Sequence, residues 1–329
     1  WLTEHHFQYE GYEVVPNLVL FGLYLTTRTE RLRLGQMFNV VPQWHPLRLA
    51  EDYALADILS GGRMQFGVGR GTVPREAETL GAVVASGDND LSREADRINR
   101  EMFEEAMDAI LSAWSNERFS FSGKHYTFPP PGIPDRGSTV RDLTLVPKPR
   151  RAVDVYQAVG TPQTLTYVAS MGFRGVFASQ HPSKLAPRWQ EFGETAAERG
   201  HEWEGGDGRV LVIPVHVGRT REDAWRAGRD GHDEHARFLA PYGRFGGYLG
   251  RDRSNSLGFQ PTLEESTEQQ VMAIGSIDDV VDTIGMWREL LDLRHLCCFF
   301  DLPGLTREQM DEQLELFAGE VLPRLGIRW

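Results

Sequence analysis

The chain predicts an α/β fold of the (β/α)8 type, and three observations carry that expectation. Short apolar stretches with strand character alternate with amphipathic helical stretches along the sequence, and such alternation implies a parallel sheet with right-handed crossovers. The length of 329 residues suits a single barrel, a fold that runs from roughly 200 to over 400 residues. Polar residues collect where strands end, the place where α/β proteins commonly put their chemistry.

In order, residues 1–7 (WLTEHHF) read as a strand with Glu4 and His6 on one face and His5 on the other, since side chains alternate along a strand. Residues 16–28 have helical spacing and 33–42 read as a strand. Residues 46–59 form an amphipathic helix that Gly61 and Gly62 stop. A strand at 63–69 follows, and then a long helix at 93–116 with Phe103, Ala106, Ile110 and Trp114 at three- and four-residue steps. Residues 117–150 are an excursion with a hairpin expected around Ser122-Gly123. Strands at 154–159, 173–178 and 210–217 then alternate with helices at 162–171, 189–199 and 220–239. The glycine-rich residues 243–258 read as a mobile loop and candidate lid, with Arg251 and Arg253 at its tip, inside a helical and loop insertion spanning 220–290. A helix at 277–291, a strand at 296–300 and a helix at 307–325 complete one domain over 1–329.

This gives seven strands, whereas a closed barrel needs eight. The chain also opens on Trp1 rather than Met. The expectation is therefore a barrel whose first strand and helix are missing from the N-terminus of this chain.

Net charge is −12, from 47 acidic against 35 basic residues. That argues against nucleic acid or an anionic membrane as a general partner, although it leaves room for a basic pocket holding one phosphate. Cys297 and Cys298 are adjacent and point opposite ways on a strand, so they neither pair normally nor share a metal. A reducing compartment, the cytoplasm, is expected. The longest apolar run, 18–25, is far short of the ~20 residues that span a bilayer.

Gly67-Val68-Gly69-Arg70-Gly71 lacks the third glycine of a dinucleotide-binding turn, because Thr72 stands in its place. Glycines on both sides of Arg70 let backbone approach a ligand while the guanidinium meets a phosphate; pairing with a helix acid is the alternative. Gly160-Thr161-Pro162 starts a helix, with Thr161 as N-cap and Pro162 in the first position. Its free N–H groups suit an anion. Glu4, His5 and His6 admit three readings: a metal site completed by His45 or His181, a structural pair, or an acid/base group. No metal-ligand spacing is present, so no metal is expected. His232 and His235 stand one helical turn apart and could hold a metal, but they read as part of a solvated acidic helix face.

Four motifs taken together, residues 1–7 (WLTEHHF), 45–52 (HPLRLAED), 59–71 (LSGGRMQFGVGRG) and Gly160-Thr161-Pro162, resemble the bacterial luciferase-like family of flavin-dependent monooxygenases, which are TIM barrels. The resemblance implies FMN at the C-terminal ends of the strands, with Arg70, Gly160 and Thr161 on its phosphate. Met37, Phe38 and Asn39 would lie under the flavin ring, with a non-prolyl cis peptide at Met37–Phe38. His5 would be the acid/base group, His6 its neighbour, and Glu4 the anchor of the pair. FMNH2 from a separate reductase would react with O2 through a C4a-hydroperoxide and oxygenate a small organic substrate: an aldehyde, ketone, alkane or aromatic. A homodimer is expected, or a heterodimer with a related chain. The alternatives are an F420-dependent hydride-transfer oxidoreductase on the same fold and a non-catalytic flavin-binding partner subunit. The paired histidines favour the oxygenase, because the deazaflavin forms no oxygen adduct.

Overall fold

The computed structural model describes residues 1–7, 14–84, 90–203, 206–243, 245–248, 250 and 258–327. Their contacts group them into two units, divided between Gln157 and Ala158.

In the first unit, helix α1 (Leu18–Thr26) starts at Asn17, whose side chain accepts from the Leu20 amide. Strands β1 (Leu34–Gly35) and β2 (Asn39–Val40) follow, then α2 (Pro46–Leu59) and β3 (Met64–Gly69). Both short strands pair in parallel with β3, at Leu34↔Met64 and Val40↔Gly69. The strand expected over 33–42 is thus two pieces, interrupted at a cis Met37–Phe38 peptide. The opening segment is not a continuous strand either. It touches the sheet through isolated parallel bridges, Leu2↔Gln36 and Glu4↔Val15.

Helix α3 (Pro74–Thr79), which no periodicity in the sequence suggests, precedes the long α4 (Asp90–Ser115). The excursion then carries two hairpins, β4 (Phe121–Ser122) with β5 (Thr127–Phe128) and β6 (Pro134–Asp135) with β7 (Ser138–Thr139). The first lies where Ser122-Gly123 predicts it. Strand β8 (Val155–Ala158) returns to pair in parallel with β3, Phe66 opposite Val155. Phe66, fully buried, packs its ring 4.6 Å from Tyr53 of α2 and 5.1 Å from Trp114 of α4. Burying such a side chain contributes about 1.5–3 kcal/mol, which fixes the face of β3 turned to the helices.

The second unit runs α5 (Pro162–Ser170), β9 (Arg174–Ala178), α6 (Pro182–Glu198), β10 (Arg209–Gly218), α7 (Arg221–Leu239), α8 (Leu263–Glu268), β11 (Ala273–Ser276), α9 (Ile277–Leu291), β12 (Leu296–Phe299) and α10 (Arg307–Leu316). The ten-residue β10 organises it. Its first part pairs in parallel with β9 and β12, and its last four residues, Val215–Gly218, pair with β11. Helix α9 begins at a capping box in which Ser276 and Asp279 bond reciprocally, as their spacing predicts. The closing helix is not uniform: α10 gives way to a π-helical turn at Phe317–Val321.

Two expectations are corrected here. The count of seven strands omits β11, a four-residue strand whose apolar run Gly275 interrupts. What stands is an α/β fold with parallel pairing. His232 and His235 are also not on a solvated face. His232 is fully buried, with Nε2 2.9 Å from Ser266 Oγ, and His235 is buried beside it.

Candidate active site

Glu4 is the fixed point of the N-terminal cluster. Its carboxylate, 2% exposed, accepts the Val40 amide at 2.9 Å and the Trp44 indole N–H at 3.1 Å. His6 Nε2 lies 3.1 Å from the same carboxylate. A buried charge is tolerable only when paired and hydrogen-bonded, and three donors meet that condition. The bond to Glu4 raises the pKa of His6; burial opposes it, and the charges of Glu4 and Glu76 reinforce it.

Expected to share Glu4, His5 instead has its own carboxylate. Its Nδ1 lies 3.0 Å from Oε1 of Glu76, which sits in the first turn of α3 and is 3% exposed. Arg75, one residue before it, donates to the Phe7 carbonyl at 3.3 Å and ties α3 to the histidine segment. Glu76 lies 71 residues from His5, and no local pattern marks it. The acidic residue behind Pro74 at a helix start is the only signal that sequence offers.

The Met37–Phe38 interruption rests on glycines. A Cβ on Gly67 would stand 1.7 Å from the Gln36 carbonyl oxygen, and one on Gly69 would stand 3.0 Å from Phe38 Cβ. Asn39, fully buried, donates to the Gly67 carbonyl at 2.9 Å. Beside this bulge, Gln36 Nε2 and Asn39 Oδ1 are buried and have no partner among the described residues. Buried polar atoms are normally paired, so an open donor and an open acceptor mark a place for polar ligand atoms or ordered water. Close by in register, the Trp1 ring lies against Gly35 and meets Tyr156 edge-on at 4.8 Å. A flat group with an apolar face and a mixed polar edge, as a flavin has, fits these residues.

Arg70 follows Gly69 at the end of β3. Its Nη1 donates to Asp96 Oδ1 of α4 at 3.0 Å, and Asn99 fixes the Arg70 carbonyl at 3.0 Å. In this state the guanidinium pairs a helix acid, the alternative that the sequence leaves open.

Within the second unit, Thr161 caps α5 as predicted, accepting from the Thr164 amide at 3.2 Å with Pro162 at the first position. Gly160 and Thr161 are exposed. Sequence reasoning misses Arg188, half-buried, which donates to the Val159 carbonyl at 3.2 Å beside this turn. Burial lowers its pKa. His181 caps α6, accepting from the Ser183 amide at 3.2 Å, and the His45 ring lies tilted against Phe128 with centroids 5.3 Å apart, so each has a structural part. Of the expected lid, Phe245 and Tyr248 are packed in a core cluster with Leu263 and Met272. Arg251 and Arg253 lie outside the described residues.

A parallel α/β fold with two pairs of a histidine and a buried carboxylate, and an arginine at a strand end, has groups that can handle protons and an anion. Comparison with known proteins sharpens the class. A family model described as luciferase-like monooxygenase matches residues 1–293. The oxygenase component of a flavin-dependent trigonelline monooxygenase from Acinetobacter baylyi is 33% identical over 98% of this chain and 84% of its own. The 4-hydroxyprotoasukamycin monooxygenase of Streptomyces nodosus subsp. asukaensis is 25% identical over 99% of this chain and 82% of its own. Among solved structures, the FMN complex of the oxygenating constituent of 3,6-diketocamphane monooxygenase from Pseudomonas putida superposes with a TM-score of 0.74, covering 98% and 87% of the two chains at 20% identity. An F420-dependent secondary alcohol dehydrogenase superposes at 0.68, covering 95% and 85% at 16% identity. The chain belongs to the luciferase-like monooxygenases. It is an oxidoreductase, a flavin-dependent monooxygenase of that family.

Proposed function

We propose that this enzyme binds reduced FMN, delivered by a separate reductase, and uses O2 to oxygenate a small organic substrate such as an aldehyde, ketone, alkane or aromatic ring. The carrying observation is the bond from Val40 N–H to Glu4. It ties the histidine segment to the strand position that pairs with Gly69, one residue before Arg70. This link between the histidine segment and the end of β3 supports reading His5 and Arg70 as the proton-handling and phosphate-handling groups of one site. The relative named as an oxygenase component supports the separate reductase.

The parts follow from the residues. Arg70 would hold the phosphate, exchanging Asp96 for it; in the second unit, the free N–H groups at the Gly160–Thr161 turn suit an anion. Met37, Phe38 and Asn39 would support the ring, with Gln36 Nε2 and Asn39 Oδ1 open to its polar edge. The bound cofactor supplies the activation of oxygen. His5 gives and takes the proton that oxygen insertion and water release require. Glu4 and His6 hold the segment, and the apolar surfaces of Trp1 and Phe38 keep water from the reacting atoms. Cytoplasmic placement goes with this reading through cysteine usage. Among the described residues, no helix is long and apolar enough to cross a membrane.

The homodimer is part of the same proposal. Leu20, Phe21 and Tyr24 of α1 and Leu55 and Leu59 of α2 are exposed large apolar side chains, and clustered exposed apolar surface marks association sites. Sedimentation of the wild type and of Leu20→Glu checks it; a monomeric wild type would contradict it.

The F420 alternative shares the fold, as the dehydrogenase structure illustrates. Mass analysis of products formed under 18O2 with a flavin reductase, over a panel of aldehydes, ketones and aromatic heterocycles, separates the two. Incorporation of one labelled oxygen per product supports the monooxygenase proposal. Substrate oxidation without incorporation, dependent on F420, would replace it.

A further inference from the structure

We infer that the cavity between α7 and α10, at the end of β10, is a second ligand site, which takes a small carboxylic acid bearing a hydroxyl or an amine. None of its lining residues belongs to the candidate active site, so the inference does not depend on the proposed function.

The cavity, of about 350 Å³, is lined by the last residues of β10 and by the opening turns of both helices. His216, 3% exposed, is the buried group on its wall, and its Nδ1 lies 2.9 Å from Gln313 Oε1. Gln313 is also buried, and its Nε2 donates to the Phe300 carbonyl at 3.1 Å. That bond turns the amide oxygen toward the histidine, and an amide oxygen only accepts. The hydrogen of the neutral ring therefore sits on Nδ1. Burial lowers the pKa of His216, against the bond to Gln313, and so favours the neutral form. Nε2 is left as a bare acceptor, with no partner among the described residues.

Its direction follows from the two neighbours of the ring. The Nδ1 side meets α10 through Gln313, and the Cδ2 side meets α7, where a Cβ on Gly228 would stand 3.6 Å away. The Cε1–Nε2 edge thus faces the gap between the helices, where the cavity lies. Buried polar atoms are normally paired, so this nitrogen calls for a donor from a ligand.

The other polar groups of the wall supply donors. Gln309 Oε1 accepts the Thr306 amide at 2.8 Å, which leaves its Nε2 to donate. Asp223 is taken up by Thr220 and Arg226, and Glu312 by Arg219 at 3.2 Å. A guanidinium carries five N–H groups, so both arginines keep donors for a ligand. Both ion pairs are largely exposed, where such pairs contribute little and exchange readily. The positive ends of the α7 and α10 dipoles flank the same space. This donor set answers a carboxylate, and His216 Nε2 answers one hydroxyl or amine beside it.

Calorimetric titration with L-malate, L-aspartate and succinate tests the inference, because succinate has the carboxylates without the donor. Malate, for a hydroxy acid site, or aspartate, for an amino acid site, is expected to bind about fivefold more tightly than succinate, the worth of one hydrogen bond. His216→Phe keeps a ring without the acceptor and is expected to erase that preference. Arg226→Gln, an exposed change, is expected to weaken all three. Should His216→Phe fail to fold, nitrogen-15 spectra of the wild type, with the ring assigned through its bonds to the backbone, carry the same test. The Nε2 signal is expected to be that of a bare nitrogen and to move with malate or aspartate but not with succinate. Binding of none of the three, succinate binding as tightly as the others, or a preference that survives in folded His216→Phe overturns the inference.

Discussion

The carbonyl oxygen of Gln36 stands where Gly67 has no side chain: a Cβ there would lie 1.7 Å from it. The bulge that carries Met37 and Phe38 therefore depends on a missing methyl group one strand away. Gly67→Ala is expected to push the bulge off β3 and to destabilise the protein by about 1–3 kcal/mol or more, the usual range for overpacking. Gly69→Ala meets a side-chain atom at 3.0 Å and should cost less. Thermal melts of the two variants rank them; equal melting temperatures would contradict the packing.

Stability should respond to pH through His6. Its folded pKa is raised above the ordinary value of 6.5, chiefly by the bond to Glu4. The stabilisation it gives is complete below about 6.5 and is lost as pH rises through the folded pKa. Melting temperature measured from pH 6 upward should fall more steeply in wild type than in His6→Gln. Parallel curves would show that the pair contributes nothing.

His235 has the opposite sign. Burial pushes its pKa down to about 4, with the nearby His232 adding to the effect. The unfolded chain takes up a proton near 6.5 that the folded chain refuses until about 4, so stability present above 6.5 is lost as pH falls through that window. His235→Phe removes this linkage and should flatten the acid side of the stability curve. A wild type equally stable at pH 4.5 and 7 would contradict it.

Much of this was legible in advance, and the exceptions share a physical cause. Helices α2 and α9 fall on the predicted boundaries because their own ends carry the signals, Pro46 at the first position and the Ser276–Asp279 box. Strand β11 and helices α3 and α8 are four to six residues long, too short for a periodicity to show. Helix α7 reads as solvated because it is rich in charge. Yet Gly228 and Gly231 lie on one face with His232 and His235, and a Cβ on Gly231 would meet the Pro303 carbonyl at 2.5 Å. Those two glycines were the visible sign that this face is covered. At the site, the Glu4–His6 contact joins neighbours in the chain. Glu76 reaches His5 across 71 residues, and only the folded chain brings them together.

Arg70 gives a prediction that separates its two roles. Losing a charge-assisted hydrogen bond costs about 1.5–3 kcal/mol, so Arg70→Ala should weaken FMN binding by about tenfold to a hundredfold. Riboflavin, which has no phosphate, should bind equally to both proteins. Asp96→Asn, which releases the guanidinium from its partner in α4, should bind FMN no more weakly than wild type. Fluorescence titration with the two flavins reads all three; equal losses for FMN and riboflavin would assign Arg70 to packing alone.

The central claim is that reduced FMN is the cofactor. Anaerobic titration of the protein with reduced FMN and, separately, with reduced F420, followed by mixing with oxygen in stopped flow, tests it most directly. One reduced FMN bound per chain, more tightly than reduced F420, with a time course of reoxidation different from that of free FMN, is the predicted result. Tight binding of F420 with no binding of reduced FMN would contradict it.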